Sequence, residues 1–130
     1  MPSNLHITHI PALVVAVVHL GSAIWPLFGD TRSHMLLHGL PDRIASDPKT
    51  WPVWWYGQNR TNVLGIMMIY LYATGQYAAC DACLLIMGAW YLVGDIIVFW
   101  RIGKLETGLN RIGPAFAMLT CGMGGLTQWL

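Results

Sequence analysis

The fold of this chain is decided by residues 77–101, which read YAACDACLLIMGAWYLVGDIIVFWR. This stretch is mainly apolar, and it exceeds the roughly 20 residues that an α-helix needs to cross a 30 Å hydrocarbon layer. Three further apolar stretches of similar length accompany it, at about 10–28, 53–74 and 112–130. Because no stretch alternates with the period of two typical of strands, a β-barrel is disfavoured. The sequence therefore predicts an all-α protein, a single integral membrane domain over residues 1–130 that forms an antiparallel bundle of four transmembrane helices.

The composition indicates lipid as the main solvent. Apolar residues make up 55% of the 130 residues and charged residues only 10%, less than half the usual proportion in a soluble domain. A net charge of +1 excludes the basic surface that nucleic-acid binding requires. Three cysteines are too few for a disulfide-stapled fold. No Lys or Arg precedes Arg32, so we expect the first apolar stretch to remain as a helix rather than to act as a signal peptide.

The basic residues predict the orientation of the chain. All seven lie in loop 1–2, in loop 3–4 or at the helix ends beside them: Arg32, Arg43, Lys49, Arg60, Arg101, Lys104 and Arg111. The positive-inside rule places both loops in the cytoplasm and both termini across the membrane, which is that of the endoplasmic reticulum if the protein is eukaryotic. An interfacial aromatic belt is expected at the same level, from Trp25, Trp51, Trp54, Trp55, Tyr56 and Trp100. In the long loop 1–2, Ser33–Leu40 are expected to form a short helix on the membrane.

Ionisable side chains within the predicted spans are candidates for a functional site, because charge is costly in hydrocarbon. At a rise of 1.5 Å per residue, Arg60 and Asp95 lie within about 6–8 Å of the same depth, and His19 is near that layer. Tyr91 precedes Asp95 by one helical turn. We therefore predict an Arg60–Asp95 pair and a catalytic set of Asp95, Arg60, Asn59, Tyr91 and His19.

The same polar layer is expected to bind the substrate through Asn62, Trp25, Trp55 and Gln58. An Asp whose protonation is tuned by burial and by an Arg can act as an acid or a base, which suits proton transfer on a lipophilic substrate. A structural interpretation carries similar weight, since an Arg–Asp pair between transmembrane helices is often only a clamp. If Asn59 and Asn62 face the bundle instead, Arg60 extends to the membrane surface and does not pair with Asp95.

Two weaker patterns involve residues that often bind metals or take part in redox chemistry. Cys80 and Cys83 form a C-x-x-C motif like that of quinone-coupled thiol oxidoreductases, but only Cys121 remains where a second pair is needed. His34 and His38 have the i, i+4 spacing of metal ligands, yet a solvated helix face is the expected setting and no metal site is predicted. No phosphate-binding loop, dinucleotide fingerprint or haem motif is present, so no cofactor is expected.

The last apolar stretch carries a stripe of small residues, Gly113, Ala117, Cys121, Gly124 and Gly125. Stripes of this kind are typical of close helix packing in membranes. The stripe predicts a packing surface, and it offers a route to a homodimer through the fourth helix.

A family resemblance is carried by Tyr56-Gly57-Gln58-Asn59-Arg60 and by Tyr91-Leu92-Val93-Gly94-Asp95. Over about Leu20–Leu126 the chain resembles the small four-helix membrane proteins grouped with the DoxX-like families. It also resembles the small membrane epoxide hydrolases of fungal polyene-pyrone polyketide pathways. That resemblance implies that Asp95, with Arg60 and an amide, activates water or an internal hydroxyl while a second acid assists the epoxide oxygen.

The expected function is a membrane-embedded, cofactor-independent acid–base enzyme of secondary metabolism. Its substrate would be a lipophilic polyketide- or terpenoid-like molecule, and its reaction epoxide hydrolysis, cyclisation or isomerisation. One alternative is a non-enzymatic membrane subunit or small-ligand-binding module. A second alternative is a thiol oxidoreductase that uses Cys80 and Cys83.

Overall fold

The computed structural model describes residues 6–129 and the side chains of all of them except 23, 26 and 27. The described chain is all-α, as predicted, and contains no strand. Its helices are α1 (Ile10–Phe28), α2 (Thr31–Leu37), α3 (Asp42–Ala45), α4 (Trp51–Ala73), α5 (Tyr77–Arg101), α6 (Leu105–Asn110) and α7 (Ile112–Met123). Single turns of 3₁₀-helix form at Ile7–His9, Pro48–Thr50 and Leu126–Gln128.

Local sequence explains where the helices begin and end. Pro11 and Pro52 stand in the first turns of α1 and α4, where a missing N–H leaves no hydrogen bond unmade. The side chain of Asp30 caps α2 by accepting two backbone N–H groups of its first turn. Gly75, with φ of +73°, turns the chain between α4 and α5, a backbone conformation that glycine adopts without strain.

The fourth predicted span is shorter than expected. Helix α7 ends at Met123, whereas the apolar pattern predicted a helix up to residue 130, which lies outside the described residues. Gly125 takes φ of +60°, and a 3₁₀-turn follows. The Asp81 carboxylate accepts the backbone N–H of Thr127 at 3.0 Å and so holds this turn against α5. Hydropathy alone missed this change because the turn residues are themselves uncharged.

The main helices pack as two antiparallel pairs, α1 with α4 (the first helix pair) and α5 with α7 (the second helix pair). Glycines allow the backbones to approach closely. A Cβ on Gly65 would lie 2.8 Å from the Ala16 carbonyl oxygen, and one on Gly88 would lie 2.8 Å from the Ala115 carbonyl oxygen. Helix pairs with such small contact residues are common in membranes, where backbone packing replaces the hydrophobic effect.

The predicted small-residue stripe of the fourth helix borders a cavity more than a helix. A Cβ on Gly113 would meet nothing within 4 Å, and Ala117 and Cys121 line the space between the two helix pairs. The close contacts of α7 with α5 are made by Ala115 and Gly122 instead. A homodimer through this stripe stays a prediction.

The buried core lies between the helix pairs, towards the α4–α5 turn. It comprises Ala12, Ala16, Met68, Cys80, Leu84 and Met87. In the same region the ring of His9 lies against Tyr77, with centroids 5.0 Å apart, and its Nδ1 is 3.0 Å from the Tyr72 hydroxyl. These contacts hold α1 and α4 against α5 at this end of the bundle.

Helix α5 is long and apolar enough to cross a membrane. Its outward surface is formed by large apolar side chains, with Ile86, Trp90 and Trp100 each about two-thirds exposed or more. An exposed apolar surface of this extent indicates contact with lipid or with another protein.

Candidate functional site

A cleft of about 590 Å³ lies between the two helix pairs. This volume is within the range of small-molecule binding sites, about 300–1,000 Å³. Residues of α1, α4, α5 and α7 form its walls. Its polar lining is gathered towards α2 and comprises His19, Ser22, His38, Gln58, Thr61, Tyr91, Asp95 and Arg111. Towards the α4–α5 turn the lining is apolar, with Pro11, Val14, Leu84, Met118 and Cys121.

His19 and Tyr91 form a hydrogen-bonded pair across the cleft wall. His19 Nδ1 is 2.7 Å from the Val15 carbonyl oxygen, and its Nε2 is 2.8 Å from the Tyr91 hydroxyl. A carbonyl oxygen can only accept, so Nδ1 carries the ring proton. Nε2 of the neutral ring therefore accepts a hydrogen bond from the Tyr91 hydroxyl. His19 is only 9% exposed, so this geometry is held by the surrounding helices.

Asp95 lies one helical turn from Tyr91 on α5 and is paired with Arg111. Arg111 Nε lies 2.7 Å from Asp95 Oδ2. Nη1 of the same guanidinium donates to the His38 carbonyl oxygen at 3.3 Å, and its carbon lies 5.5 Å from the centre of the Phe99 ring. Arg111 thus links α5, the start of α7 and the chain that follows α2. Oδ1 of Asp95 has no hydrogen-bond partner within residues 6–129.

The predicted Arg60–Asp95 pair is wrong. Arg60 is exposed, and its Nη2 donates to the Tyr56 hydroxyl at 2.7 Å, with the guanidinium 4.4 Å from the centre of that ring. The cause is helical geometry, because Gln58 points into the protein and a residue two positions later lies on nearly the opposite face. The cation that Asp95 uses comes from loop 3–4. Since loop 3–4 joins two antiparallel helices, the residue just before the fourth helix must lie near the end of the third, a signal that would have indicated Arg111.

The structure gathers part of the predicted site. Four of the predicted residues line the cleft: His19, Gln58, Tyr91 and Asp95. The others do not line it: Asn59, Arg60, Asn62, Trp25 and Trp55. Asn59 and Trp55 are exposed, and Trp55 Nε1 donates to Thr31 Oγ1 at 3.0 Å. Trp25 borders a neighbouring cavity, together with Leu37, His38 and Arg111.

The histidines of α2 and of the chain that follows it are not on a solvated face. His34 is 2% exposed, and Trp54 Nε1 donates to its Nδ1 at 3.0 Å. Its ring centre lies 4.3 Å from that of His38. Burial, followed by the neighbouring His38, lowers the pKa of His34 below its ordinary value. These histidines anchor α2 on α4, which was missed because spacing alone does not show what covers a short helix.

The C-x-x-C motif and Asp81 lie far from Asp95 along α5. Cys80 is buried, and its thiol lies 3.9 Å from the Met68 carbonyl oxygen. Cys80, Cys83 and Cys121 are all free thiols. Asp81 is 2% exposed, and Gln128 Nε2 donates to its Oδ2 at 3.1 Å. The contacts of Asp81 are thus those of a residue that fastens the end of α7.

An all-α chain with an apolar outer surface and a ligand-sized cleft between two helix pairs defines the class of this protein. The chain belongs to the family described as Domain of unknown function (DUF4267), which it matches over residues 13–125. That match runs from within α1 to just beyond the end of α7, so it includes all the residues that line the cleft except Pro11. No curated protein and no solved structure matches the chain.

Proposed function

We propose that this protein is a membrane-embedded acid–base enzyme that opens an epoxide of a lipophilic substrate held in the cleft. The observation that carries the proposal is the Tyr91 hydroxyl bonded to the buried His19, one helical turn from the Asp95 carboxylate. All three side chains line the same cavity. A proton donor and a proton acceptor that face one substrate are what general acid–base catalysis requires.

The membrane arrangement belongs to the same proposal. Helices α1, α4 and α5 cross the bilayer, and α7 together with the Leu126–Gln128 turn makes the fourth crossing, with loops 1–2 and 3–4 in the cytoplasm. The support is the length of α5 and the location of all basic residues in the half of the helix pairs that carries loops 1–2 and 3–4. The polar half of the cleft then lies near the cytoplasmic surface, where a lipophilic substrate with a polar group would reach it from the bilayer.

Asp95 serves as the base in the proposed reaction. Arg111 holds Oδ2 and so fixes the orientation of the carboxylate, which leaves Oδ1 to accept a proton. Oδ1 takes the proton of a water molecule as its oxygen attacks an epoxide carbon and a new C–O bond forms. An internal hydroxyl of the substrate in place of water gives cyclisation by the same step.

Tyr91 and His19 serve as the acid. In the protonated state of His19, Nε2–H donates to the Tyr91 oxygen, and the phenol proton is free to point into the cleft. As the epoxide C–O bond breaks, Tyr91 gives this proton to the departing oxygen and receives one from His19. Return of the Asp95 proton to His19 through a water molecule completes the cycle, so that epoxide and water yield a diol.

The protein itself contains a matched control for the acid. Tyr72 forms a second Tyr–His pair with His9, but it lies at the α4–α5 turn and does not line the cleft. In vesicles that contain the full chain and a long-chain alkyl epoxide, Tyr91→Phe should lower diol formation by about 10²-fold, the usual scale for a lost acid–base group. Tyr72→Phe should leave it near the wild-type rate.

The opposite result overturns the proposal. Equal rates for Tyr91→Phe and the wild type would remove Tyr91 from the chemistry. If the wild type forms no diol from the alkyl epoxide, the epoxide reaction is refuted, and the ligand-binding module becomes the better interpretation of the cleft.

A further inference from the structure

The polar lining of the cleft leaves one side chain without a hydrogen-bond partner. His19, Ser22, His38, Thr61, Tyr91, Asp95 and Arg111 each bond to or form an ion pair with another group of the protein. Gln58 bonds to no other group of residues 6–129, and its Oε1 is buried. The residue as a whole is 9% exposed. An unpaired buried acceptor costs free energy, so a partner from a ligand would recover it.

The polar and the apolar parts of the cleft lining lie at opposite ends of the cleft. Its polar groups lie towards α2, whereas Leu84 on α5 and Met118 on α7 belong to the apolar part. From Tyr91 back to Leu84 there are seven helical residues, about 10 Å at 1.5 Å per residue. The apolar arm of the cleft therefore has room for an extended hydrocarbon chain of about this length.

From these two features we infer that the cleft binds an amphiphile whose head carries a hydroxyl that donates to Gln58 Oε1, with its hydrocarbon chain along Leu84 and Met118. The inference rests on the proposed function, because it names the substrate class of the same site. Arg111 and Asp95 compensate each other's charge, so the head group needs no charge of its own. A neutral hydroxyl next to the reacting carbons also fits a cleft in which each other polar side chain already bonds to or forms an ion pair with the protein.

Photolabelling tests this inference without turnover. The full chain in phosphatidylcholine vesicles is exposed to a medium-chain primary alcohol that carries a diazirine near the end of its chain, or to the methyl ether of the same alcohol. The labelled peptides are then identified by mass spectrometry. Half-maximal labelling around Met118 should need about tenfold less alcohol than ether, since the ether lacks the donor and one hydrogen bond is worth about a factor of ten.

Substitutions identify the acceptor. Gln58→Leu, or Gln58→Met if the first variant does not accumulate, should make the alcohol and the ether equivalent. Asn59→Leu is the matched control, because it removes the neighbouring amide from the exposed face of α4 and should keep the tenfold preference. A wild type that labels equally with both probes overturns the inference, as does a preference that survives in both Gln58 variants or labelling confined to outward residues such as Trp90.

The two proposals fail in different ways. If Tyr91→Phe labels like the wild type and forms no diol, both proposals stand. If the wild type prefers the alcohol but opens no epoxide, the amphiphile site remains and the enzyme is refuted. If diol forms without any hydroxyl preference, the acid–base site remains and the role of Gln58 is refuted.

Discussion

Arg111 Nε lies 2.7 Å from Asp95 Oδ2, and this ion pair closes the second helix pair at the end opposite Asp81. The same guanidinium reaches the His38 carbonyl oxygen. One side chain at the start of α7 thus orients a cleft carboxylate and ties down the chain after α2. The pair is half-exposed on the arginine side, so its contribution to stability is smaller than that of a fully buried pair.

A double-mutant cycle tests this pair. Asp95→Leu and Arg111→Met should each lower the free energy of unfolding by about 1–3 kcal/mol, because either change leaves a charged group without its ion-pair partner. The double variant should lose less than the sum of the two. The measurement is thermal unfolding of the purified protein in detergent.

Arg60→Met is the control for that cycle. Its guanidinium contacts Tyr56 on the exposed side of α4, so its effect should simply add to that of Asp95→Leu. Coupling between Arg60 and Asp95, or additivity between Arg111 and Asp95, would contradict the pairing described here.

The two aspartates of α5 are expected to separate activity from stability. Asp95→Asn should reduce diol formation from an alkyl epoxide by about 10²-fold, because an amide cannot accept the proton that the carboxylate takes. Asp81→Asn should leave the rate per folded molecule nearly unchanged and lower the melting temperature, since Asp81 fastens Thr127 and Gln128. A larger loss of activity at Asp81 would move the site to the other end of the molecule.

The sequence predicts the fold well wherever apolar length decides it. Helix α1 occupies Ile10–Phe28 and α5 occupies Tyr77–Arg101, the ranges expected from hydropathy. Hydropathy cannot place the end of α7, because Gly125 and the contact of Thr127 with Asp81 stop that helix within an uncharged segment.

The sequence predicts the position of a site residue correctly only where that position depends on the face of a single helix. Tyr91 and Asp95 were placed together because i, i+4 spacing fixes a common face. The partner of each comes from another part of the chain, and depth in the membrane alone does not identify that partner. Arg60 has a suitable depth but points outward, whereas Arg111 reaches Asp95 from a loop. Whether Arg60 faces Asp95 depends on the rotation of α4 about its own axis. The apolar pattern of α4 does not define this rotation, so depth alone could not show that Arg60 points outward.

Gly88 is predicted to be essential for the contact between α5 and α7. A Cβ at this position would overlap the backbone of Leu119 and lie 2.8 Å from the Ala115 carbonyl oxygen, so Gly88→Ala must push the helices apart. The expected cost is about 1–3 kcal/mol, measured by thermal unfolding. Gly113→Ala is the matched control on α7, because its Cβ would meet nothing within 4 Å and should be neutral or slightly stabilising. Equal stability of both variants would contradict the close packing.

The contact that anchors α2 on α4 should make the stability of the protein depend on pH. Trp54 Nε1 can only donate, so the His34 Nδ1 that it meets at 3.0 Å must be unprotonated. Burial and then His38 lower the pKa of His34 below its ordinary value of 6.5. The unfolded chain therefore takes up a proton at His34 at a higher pH than the folded chain does. Stability should fall as the pH drops below about 6.5 and level off below the lowered pKa, where both states are protonated.

His34→Gln should remove this part of the pH dependence, because a glutamine oxygen can still accept from Trp54 but does not titrate. The melting temperature of the wild type should fall between pH 8 and pH 5, and that of His34→Gln should fall less. His6→Gln is the control, since His6 is exposed and lies outside α2, and it should keep the wild-type decline. If His34→Gln and the wild type lose stability in parallel as the pH falls, protonation of His34 does not oppose folding, and the contact with Trp54 does not fix its charge state.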